Sequence, residues 1–262
     1  MPEGEKNWKT CYKYKIDWFT PGHTVKMKGM RMADSKTAAM ETIQDLMKDG
    51  KYDEARPLIE EYLKTTPDDP LAIRFLGNTF AYTGFLNKAK RVWREGCRLF
   101  PENVDLIYNL GLAYYLQRDF GRARRLWQKG LKLNPNDGEI LFNMGQLARD
   151  LGHFRRAIKL WKRALTKDPK NVETMNNIAG AFADIDMQGK AAMWYRRALE
   201  VDSEYALAHL NLASSLIELG QLDEARIHAE KAAQLDPASH LEQVEGFLKK
   251  IQLLRIKQEE EL

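Results

Sequence analysis

Five prolines mark a regular interval along this chain. Pro67, Pro101, Pro135 and Pro169 recur at a constant spacing, Pro237 follows after twice that spacing, and Ser203 occupies the skipped position. Each lies in a phrase such as NPND or DPKN, which stops a helix and starts a turn. A fixed period of about 20–50 residues belongs to chains made of stacked copies of one small unit. One such unit cannot bury its apolar face alone, so its neighbours must cover it. This excludes a single globular core for most of the 262 residues.

Other columns follow the same period. Ala55, Ala89, Ala123, Ala157, Ala191 and Ala225 form one without exception. Gly77, Gly111, Gly145, Ala179 and Ala213 form a second, always small. Trp93, Trp127 and Trp161 form a third, continued by Tyr195. Leu63, Leu131, Leu165 and Leu199 form a fourth, with Cys97 in that slot of its own copy. Each copy holds two segments of helical spacing. Ile107, Leu110, Gly111 and Tyr114 fall at i, i+3, i+4 and i+7, and Phe120, Ala123, Leu126, Trp127 and Leu131 share another stripe. A short polar turn joins them. The small residues predict close helix approach, and the tryptophans are expected to fill the gap to the next pair.

The period, the small-residue column, the unbroken alanine column and the closing prolines resemble the tetratricopeptide repeat family. The resemblance implies an all-α, right-handed α-solenoid of stacked antiparallel helix pairs. Its copies fall at 36–69, 70–103, 104–137, 138–171, 172–205 and 206–239. In the first, Ile43 takes the small-residue slot, so its opening helix is expected to be a modified cap.

Open stacks need capped ends. Leu241, Val244, Leu248, Ile251 and Leu254 predict a C-terminal capping helix within 240–262, with the last residues frayed. Residues 1–35 do not fit the repeat. Tyr12, Tyr14, Ile16 and Trp18 alternate with charged residues, as do Val25 and Met27, around Thr20-Pro21-Gly22-His23. That pattern predicts a small β-hairpin. Its aromatic face is expected either to cap the first repeat or to dock a partner through Trp8, Trp18 and nearby methionines. The start shows no apolar leader core, and no run approaches the roughly 18 apolar residues of a membrane span. Two cysteines rule out a disulfide framework, and the chain reads as cytoplasmic with free thiols.

No catalytic constellation is visible. The five histidines form no HExxH pair, and there is no glycine-rich phosphate loop. Cys97 reads as an inert packed thiol. The expectation is a non-catalytic scaffold without cofactor or metal, a hydrolase with an unfamiliar site being the contrasting class. In the resembled family the first helix of each repeat lines a concave surface. The residues off the packing stripe there mix amides and aromatics, as a peptide groove requires. The candidates are Arg74, Asn78, Tyr108, Asn109, Tyr115, Phe142, Asn143, Gln146, Asn177 and Asn211. Asn109, Asn143, Asn177 and Asn211 recur with the period of the repeat. They either hold a peptide main chain or bond the adjacent repeat, and the sequence leaves both open. Arg74, Asn78 and Asn109 match part of a clamp for a chaperone's C-terminal carboxylate, but Glu139 and Asn143 stand where further basic residues belong.

The net charge of +4 conceals a segregation. Residues 86–168 carry 18 Lys and Arg against 8 Asp and Glu, a net of +10, which leaves −6 elsewhere. Most of these cations fall on second helices, the convex side in the resembled family. Arg91, Arg94, Arg122, Arg125, Lys129, Arg155, Arg156 and Lys159 are the candidates there. They form either a solvated face or a site for an anionic partner: an acidic protein, RNA or a lipid surface. Partner identity and oligomeric state are not encoded legibly.

Overall fold

The computed structural model describes residues 33–260, so the predicted hairpin and the rest of residues 1–32 lie outside the described part, as do 261 and 262. All described regular structure is helical. Two compact units divide the chain at Pro135/Asn136. The first contains α1 (Ala33–Lys48), α2 (Tyr52–Thr65), α3 (Pro70–Tyr82), α4 (Leu86–Leu99), α5 (Val104–Leu116) and α6 (Phe120–Leu133). The second contains α7 (Gly138–Asp150), α8 (Phe154–Ala164), α9 (Val172–Ala183), α10 (Gln188–Val201), α11 (Ala206–Glu218), α12 (Leu222–Leu235) and α13 (Pro237–Glu260). Within each unit, each helix packs on its chain neighbours, which is the solenoid plan of stacked pairs.

One backbone device closes every pair. Gly50, Gly84, Arg118, Gly152, Asp186 and Gly220 follow the repeat period and all take a left-handed conformation, with φ between 58° and 87°. At each, two amides turn back onto the preceding helix. Gly84 N–H donates to Ala81 O at 3.1 Å, and Phe85 N–H donates to Phe80 O at 2.7 Å. This pair of bonds is the Schellman end, which favours glycine because it lacks a Cβ. The helix pairs begin as regularly. Asp69, Asn103, Asp137 and Asn171, each two positions after a closing proline, accept from helix amides; for Asp137 the donor is Ile140 N–H at 3.0 Å. Such caps satisfy amides that the first turn leaves unpaired. The copy that has Ser203 for proline has Tyr205 at the cap, with no side-chain cap bond.

Each indole seats within its own pair. Trp93 Nε1 donates to Arg74 O at 3.3 Å, Trp127 Nε1 to Tyr108 O at 3.2 Å, and Trp161 Nε1 to Phe142 O at 3.0 Å. All three rings are fully buried. The glycine of the small-residue column, on the first helix of the same pair, makes the room. A Cβ on Gly77, Gly111 or Gly145 would come within 2.5, 2.7 or 2.6 Å of the indole Cδ1, inside any van der Waals distance. Where the small residue grows to Ala179, the ring shrinks to Tyr195. Ile43 and Ile59 hold the same two slots in the first copy and are fully buried in one cluster. Ala213 and Ala229 hold them in the last, beside Val244 of α13.

α13 covers the last pair through Val244 and Ile251, which are buried, and through Phe247 and Leu248. Leu241 departs from the expected stripe: it is exposed, because α13 starts earlier and its buried face begins about one turn later. Replacing Gly77 by Ala is expected to cost about 1–3 kcal/mol in urea unfolding, because the seat is overpacked. Replacing Gly246, an α13 residue with open space around its Cα, by Ala is expected to stabilise by about 0.5–1 kcal/mol.

Candidate functional site

The ten groove candidates all lie on first helices. Arg74 and Asn78 are on α3, and Tyr108, Asn109 and Tyr115 are on α5. Phe142, Asn143 and Gln146 are on α7, Asn177 on α9, and Asn211 on α11. Their exposures separate them into two groups.

The buried group belongs to the stack. In the first unit Asn109 Nδ2 donates to Asn78 Oδ1 at 3.1 Å, and both are buried. In the second unit Asn211 Nδ2 donates to Asn176 Oδ1 at 3.1 Å, again joining consecutive first helices. Asn143 Nδ2 instead donates to Glu139 O, one turn back at 3.0 Å. Of the two readings of the asparagine column, this geometry favours bonding to the neighbouring repeat at Asn109 and Asn211. Asn177 differs: it is 7% exposed and its Nδ2 has no partner. Arg74 is also 7% exposed and pairs with Asp105 at 3.1 Å. Burial pulls its guanidinium below the ordinary arginine range, and Asp105 opposes that pull. A buried, paired arginine is poorly placed to grip an external carboxylate.

The second group is half-buried and faces outward. Tyr115 leans on Phe120 and Trp127, with ring centroids at 5.6 and 5.7 Å. Phe142 gives its carbonyl to Trp161 and leaves part of its ring open. Gln146 lies one turn on, at the limit of bonding distance to Asp150 (3.5 Å). Arg149, also half-buried, is held by Asp184 at 2.9 Å. Tyr108 is buried; its backbone oxygen serves Trp127.

One feature of this face escaped the residue-by-residue reading. Asp105, Glu139 and Glu173 share an acidic column with the same period. In the first unit Asp105 is answered by Arg74. In the second, burial first and then the charge of Glu139 raise the Glu173 carboxyl above its ordinary range. Burial is also the main cause that lifts the Tyr205 phenol to about 12, with Glu173 adding to it. The repeated acid was visible in the sequence. Its burial was not.

The eight basic candidates are all exposed, on α4 and α6 of the first unit and α8 of the second. Cys97 is partly buried, and burial pushes its thiol up to about 11, against a weaker pull from Lys129. Among the described residues no group of three or more His, Cys, Asp and Glu could hold a metal ion. No described helix is long and apolar enough to cross a membrane.

A carboxyl whose pKa is raised by folding opposes the fold when ionised, and that opposition vanishes once pH falls below its range. Glu173→Gln is therefore expected to raise the melting temperature at pH 7. The gain should shrink towards zero in melts at acid pH.

The family model described as tetratricopeptide repeat matches residues 104–137, 138–171 and 206–239. No curated protein matches the sequence. Among solved structures, the APC/C hetero-tetramer Cut9–Hcn1 aligns with a TM-score of 0.70 at 19% identity, over 84% of this chain. This chain spans 44% of that one. Pseudomonas aeruginosa pilF aligns with a TM-score of 0.70 at 14% identity, over 86% of this chain and 98% of its own. YrrB, described as a TPR protein with an unusual peptide-binding site, aligns with a TM-score of 0.57 at 16% identity, over 69% of this chain and 93% of its own. At these identities the likeness is one of fold.

Proposed function

We propose that this chain, which belongs to the tetratricopeptide repeat family, is a non-catalytic scaffold that holds a peptide or protein segment against its first helices. One observation carries the reading. The first helices leave a few aromatic and amide side chains half-open, while neighbouring asparagines and Arg74 are bonded to the stack or to their own helix. The half-open ones are Tyr115 in the first unit, and Phe142 and Gln146 in the second. Rings supply apolar contact at small entropic cost, and amides can pair with a main chain in either direction.

The contacts are assigned to these half-open side chains and not to Asn78, Asn109 or Asn143, whose amides serve the stack or their own helix. The acidic column makes the second unit a poor seat for a peptide carboxylate and a better one for a cationic side chain. YrrB shares the fold and is described as having a peptide-binding site, and Cut9–Hcn1 is an assembly of several chains. Both lend support to a binding role by analogy.

The test is affinity capture with the full chain as bait, comparing wild type with the Phe142→Ser, Gln146→Ala double variant. The variant is expected to lose its retained partners by at least about tenfold in recovery while keeping its helical circular dichroism. Full retention of every partner would remove the groove reading.

A further inference from the structure

α6 is unusual for an exposed helix. It carries five cations and no carboxylate in 14 residues. Arg122, Arg125, Lys129 and Lys132 fall at i, i+3, i+7 and i+10, so they line one side over about 15 Å. All four are exposed. Arg122 pairs with Asp119 at 3.1 Å. Arg125, Lys129 and Lys132 have no hydrogen bond or ion pair among the described residues. Some exposed cations of this unit are answered close by: Lys64 by Glu61 and Arg98 by Glu95, both at 2.6 Å. Like charges one turn apart repel and weaken a helix. Apart from the Arg122–Asp119 pair, the load on α6 is therefore unrelieved among the described residues.

The neighbouring second helix of the same unit extends the patch. Arg91 on α4 occupies the Arg125 column, exposed and likewise unpaired. Arg91 and Leu99 of α4 hold the repeat positions that Arg125 and Leu133 hold on α6, so these two second helices present matching faces. The same side has an apolar edge. Leu133 stands one turn after Lys129, and Leu99 takes the same column on α4; each is 40% exposed.

These details choose between anionic partners. Base stacking needs open rings. Here Trp93 and Trp127 are fully buried, Tyr114 lies beneath Lys90 and Arg122, and the exposed ring of Phe85 lies beneath Lys88. Bilayer insertion needs a broad apolar face. Two half-covered leucines are too little. An acidic helix suits better, because its carboxylates recur with the same 3.6-residue period as these cations and its flank can cover leucine.

We infer that the α4–α6 face of the first unit is a docking surface for an acidic, partly apolar polypeptide segment. Its charges set the encounter and register, and Leu99 and Leu133 take the segment's apolar flank.

The full chain can be titrated by fluorescence anisotropy against a labelled peptide of about 20 residues built from Glu-Glu-Leu repeats, at roughly 50 mM salt. Saturable binding is expected, weakening at least about tenfold near 300 mM salt and by a similar factor in an Arg122→Glu, Arg125→Glu, Lys129→Glu variant. The corresponding triple glutamine variant keeps the test valid if charge reversal disturbs folding; it too should weaken binding. The Phe142→Ser, Gln146→Ala variant should bind as wild type, which separates this face from the groove. Absence of saturable binding, or equal binding by a folded triple variant, would overturn the inference. So would tighter binding to an RNA duplex of about 20 base pairs or to phosphatidylserine vesicles.

Discussion

The repeat depends on how closely the two helices of a pair can approach, and a glycine facing an indole sets that distance in three copies. With no Cβ at Gly77, Gly111 or Gly145, the ring of Trp93, Trp127 or Trp161 lies close against the first helix. Its N–H then reaches a backbone oxygen of that helix. Burying an indole removes a large apolar surface from water, and the bond prevents a stranded donor. The other copies keep the sum of the two slots workable by different means: Ile43 with Ile59, Ala179 with Tyr195, Ala213 with Ala229. The smallest combination falls in the last pair, where α13 brings Val244 into the cluster.

Much of this was legible from the residues alone. The period, the copies and the helix pairs follow from columns of proline, alanine and glycine, because those residues act through the backbone. The turn column was half visible, since Arg118 and Asp186 adopt the left-handed conformation that glycine marks elsewhere. The bond that anchors each indole to the first helix of its own pair was not visible. A side chain's column says which face it occupies, but which neighbour it meets depends on how the helices pack. The asparagines show the same limit. Asn109, Asn143, Asn177 and Asn211 share one column yet have different bonding, because their partners depend on what the neighbouring helix offers.

Two kinds of surface remain once the stack has claimed its residues. The first helices present half-open rings and amides with an acidic margin in the second unit. The second helices of the first unit present unpaired cations with a leucine edge. Opposite charge on different faces suits a scaffold that engages two partners, or two parts of one, without competition.

A double-mutant cycle at the third copy tests the Gly–Trp constraint directly. The variants are Gly111→Ala, Trp127→Tyr and the two combined, which rebuilds the Ala179–Tyr195 combination of the fifth copy. Urea unfolding should show each single change destabilising, and the pair should be at least about 1 kcal/mol less destabilised than the sum of the two. Additivity within about 0.5 kcal/mol would mean that the small and large columns are independent, and would contradict this account of the repeat.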